Sequence, residues 1–247
     1  MKKLLISISF TLICFLGVAQ KIATDRPDQT ESSAVVPSGS FQIESGILVG
    51  FTDNNNNSEE QLLLPSTLFR IAIVKGVELR IISQFERIKN TSIGSNDTGI
   101  SDLEVGTKIQ LLQKEDSNSE IAFLTHVVLP TGSKSLTSNR FGTINKLAVS
   151  HSLSDKIGLG YNVGYNFLGN NNGDMTYSLS LTFSISDKLG VYAEPYGALI
   201  DLKNHESNFD AGLTYLLQDN FQLDFSFGTG INNTMNYIAV GASINIK

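Results

Sequence analysis

From Phe41 to the end of the chain, apolar and polar residues alternate with period two. That period marks β-strands with one apolar face. Ile157, Leu159, Tyr161, Val163, Tyr165 and Phe167 alternate with Gly158, Gly160, Asn162, Gly164 and Asn166. Met175, Tyr177, Leu179, Leu181, Phe183 and Ile185 alternate with serines and threonines, and Phe221, Leu223, Phe225 and Phe227 with Gln222, Asp224, Ser226 and Gly228. The first such segment puts Phe41, Ile43, Ser45, Ile47, Val49 and Phe51 on one face and Gln42, Glu44, Gly46 and Gly50 on the other. Twelve strands are predicted: 41–51, 62–73, 77–86, 101–112, 120–130, 143–153, 157–168, 175–185, 189–200, 208–217, 221–230 and 236–246.

Connections alternate between short (74–76, 154–156, 186–188, 218–220, with 113–119 somewhat longer) and long (52–61, 87–100, 131–142, 169–174, 201–207, 231–235). This predicts an up-and-down meander with both termini at the short-turn end. Strands of 10–12 residues run roughly 33–40 Å, enough, when tilted, to cross an apolar band of about 25 Å. The apolar faces carry no Asp, Glu, Lys or Arg. The fold class is therefore all-β, an up-and-down antiparallel transmembrane β-barrel of about twelve strands over 41–247. A secreted sandwich or ligand-binding barrel fits less well, because its strands are usually shorter. Phe41, Phe51, Phe85, Phe167, Phe221 and Tyr237 sit near outward strand ends and read as interfacial girdles. Pro65 and Pro195 fall inside strands, where they are expected to mark bulges or ends. The 143–153 segment is the weakest, with Asn145 and His151 on the lipid face.

The start of the chain reads differently. Lys2 and Lys3 precede an apolar run from Leu4 to Leu16, then Gly17-Val18-Ala19. Residues 1–19 read as a cleaved signal peptide. The run is shorter than the about 20 apolar residues of a spanning helix. Cys14 lacks the small preceding residues that a lipoprotein needs. Cleavage removes the one Cys and takes the net charge from −6 to −8. No disulfide or Cys-based metal site is then expected, and no cofactor. With 41% apolar residues the chain is not disordered, and with no basic block it binds no nucleic acid. The expected location is the bacterial outer membrane. Partners would be its lipid, a small solute, and the export and barrel-assembly machineries during biogenesis.

After the signal comes Thr24-Asp25-Arg26-Pro27-Asp28-Gln29-Thr30-Glu31-Ser32. Val36-Pro37-Ser38-Gly39, Gln42-Ile43-Glu44-Ser45-Gly46, Leu68-Phe69-Arg70, Glu78-Leu79-Arg80 and Leu129-Pro130-Thr131-Gly132-Ser133 follow. This series resembles the outer-membrane barrel family labelled "MetA-pathway of phenol degradation", whose members are described as transporters. The nine-residue string is its specific part. The resemblance implies a barrel that passes small solutes, apolar or aromatic ones included. The chain's end, Ile246-Lys247, departs from the aromatic terminus of many such barrels.

Residues 20–40 form a polar N-terminal segment, too charged for lipid. Asp25, Arg26, Asp28 and Glu31 could enter the barrel as a gate or as a fixed strap. The carboxylates would then meet Arg70 or Arg80, and Arg26 would meet Glu78 or Glu104. Eight acids face inward (Glu44, Glu78, Glu86, Asp102, Glu104, Glu194, Asp210, Asp224) against four bases (Arg70, Arg80, Lys108, Lys146). A wet lumen lined this way favours cations or neutral solutes. Twelve strands lie between filled and open barrels, so strand number leaves the lumen undecided. The lumen candidates are Asp25, Arg26, Asp28, Glu31, Arg70, Glu78, Arg80, Asp102, Glu104, Lys108 and Glu194.

Enzyme chemistry finds no support. His151 and Ser152 point to opposite faces, His126 faces the lumen with no evident partner, and His205 lies in a loop. The glycines of 158–164 do not match a dinucleotide loop. Ser58 and Leu64 break a calcium-loop reading of the Asn54–Asn57 run. The expected function is a passive channel for small solutes. The alternative is a structural or interaction barrel with a closed lumen.

Overall fold

The computed structural model describes residues 21–53, 58–113, 118–169 and 172–247. The expected signal peptide, residues 1–19, lies outside the described residues. The strands are β1 (Phe41–Asp53), β2 (Ser58–Val74), β3 (Val77–Asn90), β4 (Ser95–Ile100), β5 (Leu103–Gln113), β6 (Ser119–Leu129), β7 (Gly142–Ser154), β8 (Ile157–Phe167), β9 (Asp174–Ser184), β10 (Leu189–Ile200), β11 (Asn204–Gln218), β12 (Phe221–Gly230) and β13 (Thr234–Ile246). Every neighbouring pair is antiparallel, and β1 pairs with β13 along its length. The ring is closed: among the described strands each but β4 pairs on both sides, as a lipid-exposed sheet requires.

Thirteen strands make twelve wall positions. β3 pairs with β4 over Phe85–Asn90 and with β5 over Val77–Ile82. β4 and β5 are thus one wall strand broken at Ser101-Asp102. The expected 87–100 loop is corrected: most of it is the β3–β4 hairpin. β2 and β11 also begin earlier than the alternation suggested. Beyond the apolar band both faces of a strand meet water, so pairing continues after the pattern has ended.

The barrel inverts a soluble core. Inward positions are polar and buried: Glu44, Arg70, Glu78, Arg80, Lys108, Glu194 and Asp210 are each 0–1% exposed. Outward positions are apolar, among them Leu179, Phe227, Ile238 and Val240. Leu179 is mid-strand in β9, so Leu179→Arg should cost about 2–4 kcal/mol, as arginine does at a bilayer midplane. Urea unfolding in lipid vesicles measures it.

The two prolines have different solutions. The β1–β2 register shifts between Gly46 and Leu48, and the β2–β3 register between Leu63 and Ser66. Pro65 therefore sits in a bulge. Pro195 pairs with Phe209 on one side, while on the β9 side the ladder skips Glu194 and Pro195 without a shift. The polar lipid-face residues of β7 are satisfied by neighbours. The Thr125 hydroxyl donates to Asn145 Oδ1 at 2.8 Å, and His151 Nδ1 lies 2.6 Å from the Ser119 hydroxyl. Tyr237 is corrected. It faces the lumen, where its hydroxyl donates to Asp210 at 2.6 Å.

Candidate functional site

Residues 21–40 form no strand or helix; they turn back into the barrel as a strap. The Ile22 amide donates to the Asp219 carbonyl at the short-turn end, 2.8 Å. The Asp25 and Arg26 amides then donate to Glu44 Oε2 at 2.9 and 3.0 Å. The Asp25 carboxylate meets Arg80 at 2.5 Å, Lys108 at 2.8 Å and Arg70 at 3.3 Å. Burial alone would raise that carboxyl, but Arg70, Lys108 and Arg80 outweigh it and hold Asp25 well below its ordinary range. Glu78 binds both Arg70 and Arg80 at 2.9 Å and accepts the Val36 amide at 2.8 Å. Glu31 meets Arg80 at 2.8 Å. Charges this deeply buried persist only because each has partners.

The strap then crosses to the opposite wall. Arg26 pairs with Asp224 at 2.9 Å, and its guanidinium lies over Gly46 and Gly241. Those glycines face each other across β1 and β13. A Cβ on either would run into the guanidinium. The Gln29 amide donates to Glu194 at 2.7 Å, and the Thr30 hydroxyl bonds Glu194 and, at 2.7 Å, Ser178. The Glu31 amide donates to Asn162 Oδ1 at 2.7 Å, and Asn162 Nδ2 donates back to the Glu31 carbonyl at 3.1 Å.

The strap leaves a cavity on each side. The larger, about 480 Å³, lies toward the short turns and is lined by Thr24, Arg26, Asp28, Ser180, Tyr192 and Gln222 among others. The smaller, about 240 Å³, lies toward the long loops and is lined by Gln29, Lys146, Asn162, Ser178, Tyr196 and Asn208 among others. Asp28 faces one cavity and Gln29 the other.

The family model described as "Putative MetA-pathway of phenol degradation" matches residues 24–247. The chain belongs to that family. No curated protein matches it in sequence. Among solved structures, the COG4313 outer membrane channel from Pseudomonas putida F1 superposes with a TM-score of 0.70 at 13% identity, covering 86% of this chain and 97% of that one. The KdgM porin, in complex with disordered oligogalacturonate, superposes at 0.56 with 12% identity, over 83% and 99%. The translocator domain of the autotransporter NalP from Neisseria meningitidis does so at 0.51 with 9% identity, over 86% and 89%. All three likenesses are of fold alone.

The family match begins at Thr24, the first residue of the strap string. Several of the lumen candidates need correction. Arg26 meets Asp224, not Glu78 or Glu104. Among the described residues Asp28 meets no base; burial and the neighbouring Glu194 push its carboxyl well above the ordinary value. Asp102 stays out of the strap network. It accepts the Gly132 and Ser138 amides, both at 2.9 Å, and so ties down the 131–141 loop where β4 and β5 break. Its place in the break, off the ladder, is why face alternation misassigned it. His126 has partners after all: Arg80 Nε donates to its Nε2 at 3.0 Å, and Glu104 lies 3.0 Å from its Nδ1. His205 lies in β11, not in a loop, with Nε2 2.8 Å from the Tyr177 hydroxyl. Ser119 and His151 do form an outward Ser–His pair, across two strands where neighbouring-position reasoning could not find it. His151 passes its second contact to the Tyr161 hydroxyl at 3.3 Å, not to a carboxylate.

Sequence reasoning missed the lumen tyrosines Tyr192, Tyr196 and Tyr237. The signal was there for two of them, since Tyr192 and Tyr196 share the phase of Glu194. Gly241→Val should dislodge Arg26 from Asp224. Its expected result is a wild-type-like fold with higher solute permeability, read by swelling of loaded vesicles.

Proposed function

We propose that the protein is a passive outer-membrane channel for small solutes, with the strap as its constriction. One observation carries this: a closed barrel with polar cavities on both sides of a single crossing segment. No chemical step is needed; width and lining charge select what passes. The cavities are lined by hydroxyls and amides, so solutes with at least one hydrogen-bonding group suit them. The family's description names phenol degradation, and a small aromatic bearing a hydroxyl meets that condition. The neighbouring channels support the reading through their fold. Residues 1–19 would act as the cleaved export signal, 20–40 as the strap and 41–247 as the barrel.

The test is ion conductance of the folded mature protein in a planar bilayer, followed by addition of phenolic solutes. Steady current that the solutes reduce supports the channel. An inserted barrel without current would favour the second reading, a closed barrel with a structural role. The strap's many bonds to β1, β2, β3, β5, β8, β9, β10 and β12 are the observation in that reading's favour.

A further inference from the structure

The charges around the strap are distributed unevenly. Arg70, Arg80 and Lys108 all gather on the β2, β3 and β5 wall, where Asp25, Glu31, Glu44 and Glu78 meet them. Arg26 is taken by Asp224 on β12. On the β10–β11 wall, Glu194 and Asp210 are direct cross-strand neighbours, and both are 0% exposed. Asp28 of the strap comes close enough to feel both. Among the described residues, none of these three has an ion pair with a base.

A second, independent feature points into the same place. The Tyr192 hydroxyl, on a side chain only 6% exposed, has no hydrogen-bond partner among the described residues. Tyr192 lies within electrostatic reach of Asp210, Asp28 and Glu194. A buried hydroxyl without a partner, beside three carboxyls without a base among the described residues, forms a polar pocket that lacks positive charge. Its position is the boundary between the cavities. Asp28 and Tyr192 line the larger one, and Gln29, Ser178 and Tyr196 line the smaller.

We propose that Asp28, Glu194 and Asp210 form a cation-selecting constriction, a transit site for a small monovalent cation between the two cavities. This rests on the channel reading and adds its selectivity. No group of three or more His, Cys, Asp or Glu among the described residues is arranged to hold a metal ion. The ion is thus a passing, partly hydrated one and not a resident metal. Carboxyls at a pore's narrowest level select cations by this means. The smaller cavity also carries Lys146 and Glu206, one charge of each sign, so the bias is set at the constriction.

The experiment is the reversal potential of the full mature protein in a planar bilayer under a KCl gradient, for wild type, Asp28→Asn and Asp210→Asn. The variants are near-isosteric, and heat-modifiable gel mobility checks that each barrel is folded. Should Asp210→Asn fail to fold, Asp28→Asn on the strap carries the comparison. The expected result is a potential on the K⁺ side for wild type, moving several-fold toward zero in each folded variant while current persists. Current without K⁺ preference at neutral pH, as when the carboxyls hold only protons, overturns this site alone. So does selectivity that neither variant changes. An inserted barrel without current overturns the channel reading and this site with it.

Discussion

Deleting residues 24–36 should raise single-channel conductance several-fold, while the barrel still assembles. The strap is the segment that crosses the lumen, and the two cavities lie on either side of it. Without it they join into one water-filled path. The wall should tolerate the loss. Glu44 and Glu78 remain bonded to Arg70, and Glu78 to Arg80, and the carboxyls and amides that faced the strap gain water. No barrel strand loses a pairing, since the strap pairs with none. Conductance unchanged by the deletion would mean that the strap does not obstruct flow.

Arg70→Ala should be the most damaging single substitution in the lumen. Arg70 bonds Glu44 and Glu78 at 2.9 Å and lies 3.3 Å from Asp25. It also donates to the Ala23 and Ala34 carbonyls at 3.0 and 2.8 Å, clasping both limbs of the strap. Among the described residues, removing it leaves Glu44 without a base and takes one base each from Asp25 and Glu78, where water is scarce. Breaking a buried pair by removing one partner typically costs about 3–5 kcal/mol. Lys89→Ala is the contrast. Its pair with Glu60 is 3.4 Å apart and largely exposed, and such pairs contribute about 0–1 kcal/mol. The chain has no Trp, so urea unfolding is followed by circular dichroism. Equal losses in the two variants would contradict the account.

The wall was legible in the sequence because a strand's period is two and a lipid-facing side tolerates no charge. That fixed which face Glu44, Arg70, Glu78, Arg80 and Lys108 take. It could not fix height along the barrel, or which residue the strap reaches. Charge complementarity alone allowed Arg26 to meet Glu78 or Glu104. The flat glycine floor of Gly46 and Gly241, set by the β1–β13 register, sends it to Asp224 instead. Asp102 was misread because alternation assumes an unbroken strand. Tyr237 was misread because an aromatic near a strand end was taken for a girdle, although Ile238 and Val240 mark the outward phase. Contacts across strands, such as Arg80 with His126, depend on register and leave no local trace.

The strap crosses the lumen to the β9–β10 wall, where Thr30 meets Ser178 and Gln29 meets Glu194. The most direct measurement is disulfide formation in a Thr30→Cys/Ser178→Cys barrel, at the site where the two hydroxyls lie 2.7 Å apart. Without residues 1–19 the chain has no other Cys. Rapid, complete oxidation is expected in the folded protein, seen by mass spectrometry as a linked peptide pair. Two thiols that stay reduced and react freely with a maleimide from the aqueous side would place the strap elsewhere and contradict that crossing.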